Sequence, residues 1–198
     1  MDHKLFIFDI GGVVVMHDQP IVEFCEKYNL PLDQVEKDWR AYIKPMLDGY
    51  LDVDYFYRML ELNYGVDLSN DPVMVTCYHP HTNEFMKQVI ARLRSNGYKV
   101  VSGSNTFAPH WDYILGQNPS PLDGFDHLYA SHEMHLSKPS PAFYRYIAKA
   151  EGFDVADCFF FDDSAENIRA AKSVGMNTFH YTQDNEALLN YLAPYISE

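Results

Sequence analysis

Residues 4–12 read KLFIFDIGG, and this stretch decides the fold. Leu5 to Phe8 are consecutive apolar residues that favour strands, and they run into a carboxylate, Asp9, and then into Gly11-Gly12. A short apolar run closed by glycines predicts a strand buried on both faces and followed by a turn. CFFFDD at 158–163 has the same character: an apolar strand that ends on carboxylates.

Outward from these two strands, KVVSGSN (99–105), HLYAS (127–131) and NTFHY (177–181) are predicted as three more. Between and after them, helical spacing marks 82–96, 141–152, 165–175 and the closing EALLNYLAPYI, with Gly97 and Gly152 suited to ending two of these helices. Residues 19–80 differ. IVEFCEKYNL, LDQVEKDWRAYIKPML and VDYFYRMLELNYG are helical in period, with Pro31, Pro45, Gly49 and Gly65 as breaks and no convincing strand. Strand alternating with helix predicts an α/β fold with a doubly wound, mostly parallel sheet. A small helical cap is inserted over residues 18–81, so that 1–17 and 82–198 form the core.

The composition narrows the function. With 28 acidic against 15 basic residues, the net charge of −13 argues against nucleic acid, which needs basic surface. No apolar stretch reaches the roughly 18 to 20 residues of a membrane span, and the N-terminal run meets Asp9 without a signal-peptide cleavage pattern. Cys25, Cys77 and Cys158 are odd in number and widely spaced, fitting neither a disulfide framework nor a zinc site. These features predict a cytoplasmic protein, a monomer or weak homo-oligomer, with no membrane partner.

In doubly wound sheets, ligands sit beyond the carboxyl ends of the strands. There the sequence places Asp9 with Gly11 and Gly12, then Ser104-Asn105-Thr106, then Ser137-Lys138-Pro139 in a loop, then Asp162-Asp163 with Asn167 one turn on. A carboxylate, a hydroxyl, a lysine and a carboxylate pair on one sheet edge suit phosphoryl transfer, because Mg²⁺ takes oxygen ligands and shares phosphate oxygens.

In order and context, DIGG (9–12), SNT (104–106), KP (138–139) and DDSAEN (162–167) resemble the four motifs of the haloacid dehalogenase-like superfamily. The match runs from residue 4 to about 181. The wording is most similar to small bacterial phosphatases of the alpha-glucose-1-phosphate phosphatase type. The resemblance implies that Asp9 is a covalent nucleophile, forming an aspartyl-phosphate. It implies that Ser104 and Asn105 help to bind the phosphoryl group and that Lys138 offsets the charge. It also implies that Mg²⁺ is held by Asp9, the Gly11 carbonyl, Asp163 and Asp162, with Asn167 orienting the carboxylates. The implied activity is hydrolysis of small phosphorylated metabolites, sugar phosphates among them.

One position departs from the pattern. Many phosphatases of the superfamily carry a second aspartate two residues after the nucleophile, and here that residue is Gly11. A missing general acid costs about 10²–10⁴-fold for poor leaving groups. His17, Asp18, His110 and Asp112 are the substitutes in range. Two other readings stay open: a 2-haloacid dehalogenase, which also lacks the second aspartate, and a non-catalytic phosphate-binding protein. Trp39, Tyr42, Tyr50, Tyr55, Phe56 and Tyr57 are expected to be helix–helix core, with some free to face the cleft. His79, His81, His132 and His135 lack metal-ligand spacing.

Overall fold

A computed structural model describes residues 3–16 and 20–196; His17 and Asp18 lie outside the described residues. The chain opens with β1 (Leu5–Phe8) and the short β2 (Val15–Met16), then runs through α1 (Pro20–Tyr28), α2 (Leu32–Leu47), α3 (Val53–Tyr64) and α4 (Val73–Thr76). β3 (His81–Thr82) returns to pair antiparallel with β2. Then come α5 (Glu84–Ser95), β4 (Lys99–Ser102), α6 (Ala108–Leu115), α7 (Ser131–Met134) and α8 (Pro141–Glu151). β5 (Cys158–Asp162), α9 (Ala165–Ser173), β6 (Asn177–His180) and α10 (Asn185–Ile196) complete it.

The sheet is parallel throughout, in the order β4-β1-β5-β6. Its apolar runs are continuous because both faces are covered, and the two-residue period sorts them. Phe6, Phe8, Phe159 and Phe161 face α5 and α10, meeting Met86, Ile90, Leu93, Leu188 and Leu192. Leu5, Ile7, Cys158 and Phe160 face α8 and α9, meeting Phe143, Ile147 and Ala171. Each fully buried phenylalanine contributes roughly 1.5–3 kcal/mol. α1 to α4 pack around a separate cluster that includes Phe24, Val35, Met46, Phe56, Leu60 and Met74, joined by Phe107 at the start of α6.

The predicted strand over 127–131 is reduced to two isolated parallel bridges beside β4, at His127 and Ala130. The Tyr129 amide donates to Ser102 Oγ (2.7 Å) instead of to a backbone carbonyl, which interrupts the ladder. Ser131 then enters α7. Pro45, expected as a break, lies inside the last turn of α2, and the helix ends two residues later. Helix α5 starts at Glu84, capped by Asn83, rather than at residue 82. Helix α6 carries no prior sequence signal beyond Pro109 in its first turn.

The end of α2 is fastened to the segment after α7. Lys44 Nζ lies 3.2 Å from Ser137 Oγ, and His135 Nδ1 lies 2.9 Å from the Asp48 carbonyl oxygen. Gly49 has φ 69°, and a Cβ there would meet the His132 carbonyl oxygen at 2.1 Å. Gly65 has a similar φ of 68° with nothing within 4 Å of its Cβ position. Gly49→Ala is therefore expected to lower unfolding free energy by about 2–3 kcal/mol, from strain plus a backbone clash, against about 1 kcal/mol for Gly65→Ala. Urea midpoints of the two variants check this; equal shifts would refute the close approach.

Candidate active site

Asp9 follows β1, and its amide donates to the Phe161 carbonyl (2.9 Å), which fastens it to the end of β5. Both hydrogen bonds of its side chain fall on Oδ1: one from the Ile10 amide (2.7 Å), one from Lys138 Nζ (2.8 Å). Oδ2 takes none among the described residues. Lys138 is buried between Asp9 Oδ1 and Asp162 Oδ2, each 2.8 Å away, beneath the rings of Phe143 and Phe160.

Asp162, fully buried, has all its lone-pair directions used. Oδ1 accepts from the Ser164 amide (2.8 Å), Oδ2 accepts from Lys138, and Asn167 Nδ2 reaches both oxygens at 3.1 Å. Asp163 is exposed to the site, and Gly12 (φ 72°) passes so close that a Cβ there would meet Asp163 Oδ2 at 2.3 Å. Ser164 caps α9, its side chain accepting from the Asn167 amide. The capping role open to the aspartates thus falls to Ser164.

Burial pushes the Asp9 carboxyl well above the ordinary carboxylate range, with Asp162 and Asp163 adding to it and Lys138 pulling it down. Burial works against the Lys138 ammonium, yet Asp9 and Asp162 outweigh it and hold its pKa above the ordinary value. Asp9, Asp162 and Asp163 bring ligand oxygens within 4.8 Å of one another. Three carboxylates against one ammonium, with oxygen donors alone, fit a hard divalent cation such as Mg²⁺.

Ser104 is buried, and its backbone is committed: its amide donates to the Tyr129 carbonyl (3.0 Å) and its carbonyl accepts from the Ser131 amide (2.9 Å). Only its hydroxyl remains for a ligand. Asn105 clasps the loop that carries the lysine, its Nδ2 donating to the Lys138 carbonyl (3.0 Å) and its Oδ1 accepting from the Lys138 amide (2.8 Å). That reciprocal pair makes Asn105 a support for Lys138.

A cavity of about 610 Å³ opens over Asp9, lined also by Gly11, Gly12, Asn105 and Asp163. Sequence reading placed all five of these at the site and missed four other lining residues: Met16, Tyr181, Thr182 and Gln183. The last three directly follow β6, so the strand-end rule that found Asp9 points to them too. Of the substitutes for the missing acid, His110 stacks on Tyr78 with ring centroids 3.9 Å apart, and Asp112 lines a different cavity beside α2 and α6. None of the six aromatics from 39 to 57 lines the cavity over Asp9. Trp39 packs on Phe56 and Phe107, Tyr42 on Tyr55 and Phe56, and Tyr57 accepts the Met74 amide. His79 pairs with Glu23 and lies outside the cavity, and the three cysteines are free and buried. No helix among the described residues is long and apolar enough to cross a membrane.

A family model described as a haloacid dehalogenase-like hydrolase matches residues 3–175. Among curated proteins, a sesquiterpene phosphatase of Aspergillus oryzae is 26% identical, with 90% of each chain covered. A D-ribitol-5-phosphate phosphatase of Bacteroides thetaiotaomicron is 24% identical, covering 89% of this chain and 90% of that one. A drimenol cyclase of Aspergillus calidoustus is 25% identical over 92% of this chain, which spans only 35% of that protein's length. Among solved structures, a HAD family enzyme of Bacteroides thetaiotaomicron in complex with magnesium and inorganic phosphate has a TM-score of 0.76 at 24% identity, with 89% and 93% of the chains covered. A HAD-like hydrolase of Porphyromonas gingivalis has a TM-score of 0.78 at 20% identity, with 96% and 98% covered. These two structures share the fold of this chain.

Proposed function

The chain belongs to the haloacid dehalogenase-like hydrolase family, and from that premise we propose that it is a Mg²⁺-dependent phosphatase working through a phosphorylated Asp9. It is a hydrolase of the phosphatase type, acting on small phosphorylated substrates. The observation that carries the finer reading is the Asp9–Lys138–Asp162 ion-paired chain beneath an open cavity, with Asp163 at its rim.

In this reading residues 18–81 form the cap over a core of 1–17 and 82–198. Asp9, Asp163 and the Gly11 carbonyl would hold Mg²⁺, and Asp162, in the same carboxylate cluster, would add its charge while fixing Lys138. When bound, the cation offsets the repulsion between substrate phosphate and the acidic site. Oδ2 of Asp9 attacks phosphorus, since Oδ1 is held by Ile10 and Lys138. The P–O bond to the leaving group breaks, and its oxygen takes a proton from solvent water, no acid standing at position 11. Water then attacks the phosphorus of the aspartyl-phosphate, releasing inorganic phosphate and restoring the carboxylate. Throughout, Lys138 stabilises charge through the Asp9 carboxylate, and the Ser104 hydroxyl meets a phosphoryl oxygen.

p-Nitrophenyl phosphate, whose leaving group needs little help from an acid, suits a site with glycine at position 11. The expected result is phosphate release with Mg²⁺, loss on adding EDTA, and recovery on restoring Mg²⁺. Metal-independent chloride release from 2-chloropropionate, with no phosphate from any ester, would establish the dehalogenase reading instead.

A further inference from the structure

Residues 127–131 run parallel to β4 and to the turn that follows it. The Ser104 amide donates to the Tyr129 carbonyl (3.0 Å), and the Ser131 amide donates to the Ser104 carbonyl (2.9 Å). In a parallel ladder the next rung would run from the Thr106 amide to the Ser131 carbonyl. Ser131, however, opens α7, and its carbonyl accepts from the Leu136 amide (3.2 Å). The Ser131 hydroxyl takes the rung instead: Oγ accepts from the Thr106 amide (3.0 Å) and donates to the Thr106 carbonyl (3.0 Å). Ser131 is wholly buried. The Thr106 amide has no other acceptor among the described residues, whereas the Thr106 carbonyl also has His132 Nδ1 at 3.2 Å.

We propose that Ser131 is a positioning residue for phosphoryl transfer, acting through Asn105 on Lys138. The inference rests on the phosphatase reading of Asp9 and deepens it. Ser131 holds the peptide unit on each side of Asn105: its amide fixes the Ser104–Asn105 unit, and its hydroxyl fixes the Asn105–Thr106 unit. Peptide units are planar, so the orientations of these two set φ and ψ of Asn105, and with them the direction of its side chain. That side chain grips the amide and the carbonyl of Lys138, whose ammonium meets Asp9 Oδ1. Asn105 lines the open cavity over Asp9, so its restraint comes from behind, where Ser131 stands outside that cavity. Alanine at 131 would leave the buried Thr106 amide without an acceptor, and the chain would have to shift to find one. A shift of about 1 Å passed on to a reacting group is enough to cost as much as about 10²-fold in rate.

Ser131→Ala, assayed on p-nitrophenyl phosphate with Mg²⁺ well below its melting temperature, should lower kcat by about ten- to a hundredfold. In an Asn105→Ala background the same substitution should cost no more than about twofold, since the link through which it acts is gone. Ser102→Ala is the control for a loss of buried hydrogen bonds alone. Ser102 is equally buried, and its hydroxyl likewise accepts from the Tyr129 amide (2.7 Å) and donates to the Tyr129 carbonyl (3.3 Å). Its alanine variant should lower the urea midpoint comparably, with kcat within about twofold of wild type. Ser131→Cys keeps the volume and a weak donor and acceptor, so its kcat should fall between wild type and Ser131→Ala. If the alanine variant does not fold, the cysteine variant carries both comparisons. Equal kcat losses in Ser131→Ala and Ser102→Ala would reduce Ser131 to a structural serine, and fully multiplicative losses with Asn105→Ala would break the link to Lys138. Either result overturns the proposal and leaves the phosphatase reading intact. No Mg²⁺-dependent turnover by the wild type would overturn both.

Discussion

Asp9→Asn is expected to lower kcat by at least about 10⁴-fold, because the amide is no nucleophile toward phosphorus and no other carboxylate can take its place. Asp162 is saturated by Ser164, Asn167 and Lys138, and Asp163 lies beyond the close approach of Gly12. The fold should survive. Asn retains an oxygen to accept the Ile10 amide, and the substitution removes a charge whose burial is unfavourable. The sign follows from the raised pKa of Asp9. A carboxyl with a folded pKa above its unfolded value contributes stability at low pH, and that contribution is lost as pH rises through the folded value. Above that folded value the ionised Asp9 therefore detracts from stability, so in that pH range the Asn variant should melt at or above the wild-type temperature. Steady-state kinetics and a thermal melt by circular dichroism check the two halves. Near-normal turnover would eliminate the covalent scheme, and a collapsed melt would mean that the Asp9–Lys138 contact holds the fold together.

Lys138→Met should damage both activity and stability. The ammonium is wholly buried and is the one positive group found between Asp9 and Asp162 among the described residues. Methionine fills a similar apolar volume against Phe143 and Phe160 but leaves two carboxylates facing each other out of water. Breaking a buried pair in this way costs about 3–5 kcal/mol. The loss of a preorganised positive group beside the nucleophile should lower kcat by about 10²–10³-fold. Adding Asp162→Asn removes one orphaned charge, so the double variant should regain part of the stability and none of the activity. Urea unfolding of the wild type and the two variants separates these effects. Wild-type stability in Lys138→Met would contradict the buried ion-paired arrangement.

The strand-end residues were legible in the sequence because each ends an apolar run of strand length. KLFIF, KVVS and CFFF are buried by their own composition, and a parallel sheet brings their carboxyl ends to one edge. Asp9, Ser104 and Asp163 needed nothing further to be located. A further task of Asp162 and Asn105 was not legible. Besides standing at the site as the sequence placed them, their side chains hold Lys138 and its loop from two directions. Nothing local in DDSAEN or SNT specifies that geometry, because the lysine arrives from some 24 to 33 residues away along the chain. The strand expected over 127–131 fails for a related reason. Its alternation is suitable, but the Ser102 hydroxyl takes the Tyr129 amide that a full ladder would use.

The sequence by itself determined the class of fold and the edge of the sheet where Asp9, Ser104 and Asp163 gather. Both follow from burial of short apolar runs and from the polar residue that ends each of them. Only the tertiary structure decided what lines the cavity over Asp9. Met16 and the run from Tyr181 to Gln183 come from separate segments, while Trp39, Tyr42, Phe56 and Tyr57 pack in the cluster around α1 to α4, and Tyr50 and Tyr55, expected as core, are exposed. Strand periodicity is a local property, set by neighbours two residues apart, whereas a groove is made by side chains that meet only after the chain has closed on itself.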